Sequence, residues 1–161
     1  MSASVLFVCL GNICRSPAAE GVLKRLIDER QMPHRISVDS AGTSSFHIGE
    51  PADKRMRQAA ASRGYDLTSR SRQASVRDYG RFDLIIAMDR RNYRELGILF
   101  GEPAAKLRLL AEFLDADAPR DVPDPYYGQE DGFAKVLDLL EQACPKILDE
   151  LVAICDRKAQ G

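Results

Sequence analysis

Hydrophobic and polar positions follow two different periods in the first thirty residues of the chain. Residues 5–8 form a continuous apolar run, which is typical of a strand buried on both faces. After a short loop, apolar residues recur every three or four positions with charged residues between them, and this spacing predicts a helix packed on a sheet. Its apolar positions are Ala19, Val22, Leu23, Leu26 and Ile27. The chain therefore opens as strand, loop and helix.

Three later apolar runs predict further strands. Residues 36–38 form a short run, residues 83–88 a longer one, and residues 105–109 a fourth with weak alternation. Helical spacing covers about 52–63, where Gly64 closes the helix, and a further helix follows Asp89, whose side chain can cap it. Because strands alternate with helices, we expect an α/β fold with a parallel sheet and right-handed crossovers.

The last long element is predicted over about 130–157 as one amphipathic helix or a pair of helices. Pro145 is expected to kink or divide it, because proline removes a backbone donor and clashes with the preceding turn. The apolar positions are Phe133, Val136, Leu137, Leu140, Cys144, Ile147, Leu148, Leu151 and Cys155. We interpret Cys144 and Cys155 as core residues on this apolar face.

Length and charge narrow the function classes. A chain of 161 residues is expected to form one domain over residues 1–161, with a core that needs no disulfide or metal. Lys and Arg number 23 against 24 for Asp and Glu, and the net charge of −1 argues against broad binding to nucleic acid or anionic membrane. The first apolar run is too short for a signal peptide or a membrane span. We predict a cytoplasmic protein with reduced thiols.

The loop after the first strand carries the candidate chemistry. Cys9 and Arg15 flank it, and Ser16 and Pro17 suit the N-cap and first position of the next helix. Free backbone N–H groups and the helix dipole favour an oxyanion there and the thiolate form of a cysteine. Arg15 can grip two phosphate oxygens. The spacing of Cys9 and Arg15 is weak evidence by itself, but the loop follows the carboxyl end of a strand, where open α/β sheets bind ligands.

A phosphoryl transfer to cysteine also needs an acid for the leaving oxygen, and Asp124 is the candidate. It lies in residues 122–128, a segment stiffened by two prolines and ended by Gly128. Tyr126 and Tyr127 offer flat faces that could flank an aromatic substrate. The segment is interpreted as a lid that carries an acid, although nothing in the pattern places residue 124 beside residue 9.

Two motifs, residues 9–17 (CLGNICRSP) and residues 124–127 (DPYY), resemble the low-molecular-weight protein tyrosine phosphatases. Residues 39–43, 71–73 and 88–89 share in the resemblance, which spans the chain. It implies a four-stranded parallel sheet flanked by helices on both faces, a flavodoxin-like three-layer sandwich. It also implies hydrolysis of phosphotyrosine in proteins through a phosphocysteine, with no metal or organic cofactor, and with a tyrosine kinase as a further candidate partner. We expect a monomer or weak self-association.

The resemblance also implies roles for individual residues. Cys9 becomes the nucleophile, Arg15 the clamp on the phosphoryl group, and Asp124 the acid and then the base. Ser16 would steady the Cys9 sulfur, and the pair Asn12 and Ser40 would brace the loop. The implied substrate-binding residues are Leu10, Gly11, Asn12, Ile13, Cys14, Ser16, Phe46, Tyr126 and Tyr127. His47, at the rim, is a position where substrate preference could differ.

Cys14 has two interpretations. It is either a small packed side chain or, as in many relatives, a thiol that captures oxidised Cys9 as a reversible disulfide, and we favour the redox role. A zinc site built on Cys9 and Cys14 is disfavoured, because the remaining cysteines lie ten residues apart on an apolar helical face. We therefore predict no metal.

The other polar candidates have simpler interpretations. His34 and His47 lack the spacing of metal ligands. Asp89 is better explained as a helix cap than as a second acid. Tyr126 and Tyr127 could be modified themselves, but their position favours a pocket wall.

Two rival functions stay open. A thiol-dependent arsenate reductase would share the loop, but residues 77–92 hold no cysteine pair for its relay and the 124–127 motif is retained. Related arginine phosphatases share the loop but typically have threonine in place of Ile13, so Ile13 favours a pocket for phosphotyrosine. A non-catalytic module could bind an oxyanion through Arg15 and use Cys9 as a redox sensor, but the presence of both nucleophile and acid argues against it.

Overall fold

The computed structural model describes residues 1–101, 104–128 and 131–161. Its sheet has four parallel strands in the order β2-β1-β3-β4. The strands are β1 (Ala3–Cys9), β2 (Ile36–Gly42), β3 (Leu84–Ala87) and β4 (Leu107–Leu109). All four lie where the apolar runs predicted strands, so the parallel four-stranded sheet is confirmed.

Five α-helices and two 3₁₀ turns complete the described part of the chain. The helices are α1 (Arg15–Glu29), α2 (Lys54–Ala61), α3 (Asp78–Arg81), α4 (Arg90–Phe100) and α5 (Asp131–Gln160). The 3₁₀ turns are Leu110–Phe113 and Pro125–Tyr127. The single turn α3 and both 3₁₀ turns were not predicted, because elements this short show too few positions for a period.

The helices cover both faces of the sheet. Val5, Phe7 and Ile86 face one core, which they share with α1 and α5. Leu6 and Ile85 point the opposite way, into a second core with Leu96 of α4 and other residues. This alternation produces the expected three layers, and it explains why β1 is apolar throughout. Among the helices within the described ranges, none is long and apolar enough to cross a membrane.

Helix α5 runs without a break past Pro145. Of the two interpretations of this element, the single helix is therefore right and the pair is wrong; the predicted first residue, Glu130, lies outside the described residues. An internal proline costs about 3 kcal/mol, whereas each large apolar side chain buried on this face contributes about 1.5–3 kcal/mol. Burial of the whole face outweighs the proline. Cys144 and Cys155 are fully buried there, as predicted.

Two predicted helix starts need correction. Helix α1 begins at Arg15, with Cys14 in the cap position, and no side chain within the described ranges caps it. The expected N-cap at Ser16 is wrong because the Ser16 hydroxyl bonds to Cys9 and Asn12 instead. Helix α2 begins at Lys54, later than expected, because Asp53 caps it through bonds from two backbone N–H groups.

The cap of α4 is the one predicted. The Asp89 carboxylate accepts a hydrogen bond from the backbone N–H of Asn92 at 2.7 Å. Because Asp89 lies two residues after the end of β3, this carboxylate is at the carboxyl edge of the sheet, near the end of β1.

Candidate active site

Residues 10–14, here named the phosphate loop, connect the end of β1 to α1. The two residues that follow β2 support the loop: Thr43 N–H donates to the Cys9 carbonyl and Ser44 N–H to the Leu10 carbonyl, both at 2.9 Å. A Cβ atom at Gly42 would lie 2.7 Å from the Leu10 carbonyl oxygen, closer than real Cβ atoms approach. Only glycine therefore lets the loop fold down onto the strand.

Asn12 holds the phosphate loop in shape from behind. Its φ of 57° is left-handed, a conformation that asparagine tolerates better than most residues. Its Nδ2 donates to Ser16 Oγ at 2.8 Å and to Ser40 Oγ at 3.0 Å, and its Oδ1 accepts from Arg72 N–H at 2.9 Å. The hydrogen bond expected between Asn12 and Ser40 is thus present, and the buried amide uses all its groups.

The brace continues to a buried carboxylate that the sequence analysis missed. Ser40 Oγ donates to Glu20 Oε1 at 2.6 Å, and Lys24 Nζ donates to Glu20 Oε2 at 2.7 Å. Glu20 is buried despite its charge. The sequence did contain a signal for Glu20. It lies four residues after Ser16, so both side chains lie on the same face of α1.

Cys9 ends β1 with its sulfur directed at the floor of the site. Its Sγ lies 3.0 Å from Ser16 Oγ, and the residue is 2% exposed. A hydroxyl at this distance can donate to a thiolate and stabilise the negative charge on sulfur. No side chain within the described ranges caps α1, so N–H groups of its first turn are left available to bind an anion.

Arg15 is buried beside Cys9 and held by two other partners. Its Nη1 donates to Asp89 Oδ2 at 2.7 Å and to the Val122 carbonyl at 3.0 Å. Burial alone would lower the pKa of the guanidinium, but the charges of Cys9, Asp89 and Asp124 outweigh it, and the pKa is raised. Asp89 was predicted as a cap only. The structure adds a second role, because one carboxylate oxygen caps α4 and the other orients Arg15.

The segment of residues 122–128, here named the acid segment, brings Asp124 to the phosphate loop. Asp124 Oδ2 lies 3.6 Å from Arg15 Nη2, and Oδ1 accepts from Tyr126 N–H at 3.1 Å. About a third of its side chain is exposed, so the carboxyl can exchange protons with water. Residue 124 therefore lines one cavity with residues 9 and 15, although it is far from them in sequence.

The cavity over Cys9 combines the predicted wall with additional residues. It is lined by Cys9, Leu10, Gly11, Ile13, Cys14, Arg15, Ser44, Phe46, His47, Asp124, Tyr126 and Tyr127. Phe46 and Tyr127 are 89% and 84% exposed and form an open aromatic rim. Asn12 and Ser16, also expected among the substrate-binding residues, are buried and are not among the residues that line this cavity. Ser44 was missed, because a serine in a loop carries no signal of its own.

His47 lies at the rim, close to the phosphate loop. A Cβ at Gly11 would lie 3.0 Å from His47 Cδ2, so the imidazole packs directly on this glycine. The ring is 6.0 Å from that of Tyr126, and Nδ1 pairs with the Glu50 carboxylate. His47 therefore connects the phosphate loop to the aromatic rim.

Cys14 lines the same cavity but in a different electrostatic setting. Burial, followed by the negative charges of Asp53 and Cys9, raises the pKa of the Cys14 thiol. Cys14 is therefore a protonated thiol at neutral pH. Within the described ranges, no three or more His, Cys, Asp or Glu side chains are grouped to hold a metal ion.

A family model described as low molecular weight phosphotyrosine protein phosphatase matches residues 4–157. The chain belongs to this family. It is therefore a protein-tyrosine-phosphatase, and the resemblance carried by residues 9–17 and 124–127 is confirmed.

Individual relatives agree over nearly the whole phosphatase chain. A low molecular weight protein-tyrosine-phosphatase of Streptomyces coelicolor is 42% identical over 152 residues, covering 92% of this chain and 93% of its own. The crystal structure of a protein tyrosine phosphatase from Entamoeba histolytica, with Hepes in its active site, matches with a TM-score of 0.90 and 46% identity, covering 94% and 98%. Wzb of Vibrio vulnificus, solved in complex with benzylphosphonate, matches at 0.79 and 29%, covering 94% and 100%.

Proposed function

We propose that this phosphatase hydrolyses phosphotyrosine in proteins through a phosphocysteine on Cys9. The observation that carries the proposal is that a cysteine sulfur, a buried arginine and an aspartate line one cavity. These are the nucleophile, the anion clamp and the proton donor that transfer of a phosphoryl group to a thiolate requires.

In the first step the Cys9 thiolate attacks phosphorus. Arg15, with Nη1 engaged by Asp89 and Val122, is oriented so that its remaining N–H groups can bind the phosphoryl oxygens together with the loop amides. The S–P bond forms as the P–O bond to tyrosine breaks. The protonated carboxyl of Asp124 gives its proton to the leaving oxygen, which departs as neutral tyrosine.

In the second step water regenerates the enzyme. The Asp124 carboxylate, now a base, takes a proton from water as the water oxygen attacks phosphorus. The S–P bond breaks and inorganic phosphate leaves. Ser16 Oγ, 3.0 Å from Cys9 Sγ, stabilises the thiolate as it is released.

The shape of the cavity supports an aryl phosphate as substrate. Phe46, Tyr126 and Tyr127 can flank a phenyl ring whose phosphate reaches the loop. Benzylphosphonate, bound to the Vibrio vulnificus relative, has an aromatic ring and a phosphonate in the same arrangement. The exposed rim leaves room for a protein chain on either side of the phosphotyrosine. The proposed substrates are therefore proteins phosphorylated by a tyrosine kinase. The proposed location is the reducing cytoplasm.

We also propose a protective redox role for Cys14. Peroxide oxidises the Cys9 thiolate to a sulfenic acid, and the Cys14 thiol then condenses with it to a disulfide and water. The two cysteines line the same cavity, which supports the pairing. After mild peroxide treatment, mass spectrometry should find a disulfide between Cys9 and Cys14 that thiol reductant reverses. Finding only over-oxidised Cys9 would reject the role.

Release of p-nitrophenol from p-nitrophenyl phosphate tests the main proposal. The assay compares wild type, Cys9→Ser and Cys144→Ala in the presence of chelator and reductant. The last variant removes a buried thiol of α5, outside the cavity, and is the matched control. Turnover in wild type and in the control but not in Cys9→Ser is expected. A well-folded wild type without turnover would contradict the proposal and favour arsenate reduction or phosphate binding without catalysis.

A further inference from the structure

The acid segment is connected to the phosphate loop through one arginine outside the catalytic set. Arg55 lies in the first turn of α2. Its Nη2 donates to the carbonyl oxygen of Tyr126 at 3.2 Å, two residues after Asp124. Arg15 contacts the same segment at other residues, the Val122 carbonyl and the Asp124 carboxylate.

Aromatic rings and a carboxylate hold the Arg55 guanidinium in place. Its central carbon lies 5.4 Å from the centroid of the Tyr126 ring and 4.9 Å from that of Phe133, distances at which a cation is attracted to an aromatic face. Asp53 accepts a fork of two hydrogen bonds, from Nε at 3.1 Å and from Nη2 at 3.0 Å. These contacts restrict the rotamers of the Arg55 side chain, so the guanidinium can hold the Tyr126 carbonyl at a defined position.

The same carboxylate residue reaches the phosphate loop through its backbone. Asp53 N–H donates to the Ile13 carbonyl at 2.8 Å. A continuous set of contacts therefore runs from Ile13 through Asp53 and Arg55 to Tyr126. It connects the loop that presents the nucleophile to the segment that presents the acid.

Asp124 lies between two anchors of the acid segment. On one side, Val122 N–H donates to the Met88 carbonyl at 3.0 Å, and the Val122 carbonyl accepts from Arg15. On the other side, the Tyr126 carbonyl accepts from Arg55. Once Arg15 engages a phosphoryl group, its 3.6 Å contact with Asp124 competes with the substrate, whereas the Arg55 anchor does not.

We propose that Arg55, held by Asp53, is a positioning residue that sets where the Asp124 carboxyl lies relative to the leaving oxygen above Cys9. The inference rests on the proposed phosphatase mechanism and deepens it. A general acid acts only within hydrogen-bond reach of its proton acceptor, and a misplacement of about 1 Å can lower a rate by about 10²-fold. Arg55 contacts neither the nucleophile nor the phosphoryl group in this mechanism, so its effect passes through the acid.

The test uses kcat/KM for two esters, because this quantity includes departure of the leaving group. Phenyl phosphate, a poor leaving group, depends on the acid, and p-nitrophenyl phosphate depends on it much less. Arg55→Ala is expected to lose about tenfold or more on phenyl phosphate and less than about threefold on the activated ester. Arg55→Lys should recover part of the loss, because an ammonium can donate to Tyr126 but lacks the fork for Asp53.

Arg57→Ala is the matched control on the same helix. Its Nε donates to the Ala52 carbonyl at 2.9 Å, so this side chain is bonded outside the acid segment. It should leave kcat/KM unchanged for both esters. Thermal unfolding of every variant checks folding, and if Arg55→Ala proves unfolded, Arg55→Met keeps the apolar stem between the two rings and carries the same test.

A double-variant cycle separates positioning from a structural role. In the Asp124→Ala background, where no acid remains to be placed, adding Arg55→Ala should change the residual hydrolysis of phenyl phosphate by less than about twofold. An equal loss on both esters, or a full further loss in the Asp124→Ala background, would overturn the inference and leave the phosphatase proposal intact. Absence of Cys9-dependent turnover in wild type would instead defeat the mechanism on which it rests.

Discussion

The two halves of the site are built in opposite ways. The phosphate loop is buried and braced: Asn12 alone makes three hydrogen bonds, and its partners Ser16 and Ser40 are buried with it. The acid segment lies at the surface, where Tyr127 is 84% exposed and Asp124 meets Arg15 only at 3.6 Å. The anion site is therefore preorganised by the fold, whereas the position of Asp124 depends on a few contacts.

Removing the acid should produce the largest effect, and a selective one. Asp124→Ala is expected to lower kcat/KM on phenyl phosphate by about 10²–10⁴-fold and on p-nitrophenyl phosphate far less. Because the side chain is partly exposed, the free energy of unfolding should stay within about 0.5 kcal/mol of wild type. Parallel assays of both esters and urea unfolding measure this. An equal loss on both esters would contradict the role of Asp124 as acid.

Removing the brace should affect both esters alike. Asn12→Ala leaves Ser16, Ser40 and the Arg72 N–H without their buried partner, and we expect about a 10²-fold loss of kcat/KM on either ester and about 1–3 kcal/mol of stability. Gln31 also has a positive φ, 56°, but is exposed at the end of α1, so Gln31→Ala controls for the backbone conformation alone. If both variants lose activity equally, the brace is not the cause.

Pushing the loop away from β2 should have a smaller, mixed effect. The new methyl group in Gly42→Ala would meet the Leu10 carbonyl at 2.7 Å, and we expect a loss of about 1–3 kcal/mol in stability with about a tenfold lower kcat/KM on both esters. A Cβ at Gly80 would meet nothing within 4 Å among the described residues, so Gly80→Ala is the control. Wild-type activity in Gly42→Ala would show that the loop tolerates displacement.

The smallest expected effect is a difference in alkylation between the thiols of Cys9 and Cys14. Burial and the charges of Asp53 and Cys9 raise the pKa of Cys14, so its thiol stays protonated through and above the ordinary thiol range of about 8.5. At neutral pH, iodoacetamide should leave the protonated Cys14 unmodified and label Cys9, the proposed nucleophile. Fragment mass spectrometry of the labelled protein, with Cys14→Ser as the control, locates the label. Equal labelling of both residues would contradict this assignment.

Elements with a strong local signal could be predicted, and those without one could not. Strand β1 and helix α5 have long, regular apolar patterns, and the cap at Asp89 has a residue type that caps helices by itself. The N-cap at Ser16 was predicted wrongly because its hydroxyl satisfies Cys9 and Asn12, which only the folded loop brings within reach. The local preference of serine for the N-cap position is overridden where the folded chain offers its hydroxyl better hydrogen-bond partners.

The candidate site divides in the same way. Cys9 and Arg15 are recognisable because the thiol and the guanidinium flank one short loop, between a strand and a helix start. The roles of Asp89, Glu20 and Arg55 depend on partners 74, 20 and 71 residues away, and these distances carry no periodic signal. The sequence showed the chemistry of the loop and, through the family resemblance, the bond between Asn12 and Ser40, but not the roles of Asp89, Glu20 and Arg55.

By itself, the sequence determined which segments are strands and helices, which face of each is apolar, and which loop can hold a phosphate. These properties follow from the period of side-chain directions along each element. Only the tertiary structure decided that Asp124 lies beside Arg15 and that Asp53 and Arg55 connect the two halves of the site. The carboxyl ends of the parallel strands lie at one edge of the sheet. The order in which the strands pair, not the length of chain between them, therefore sets which loops become neighbours.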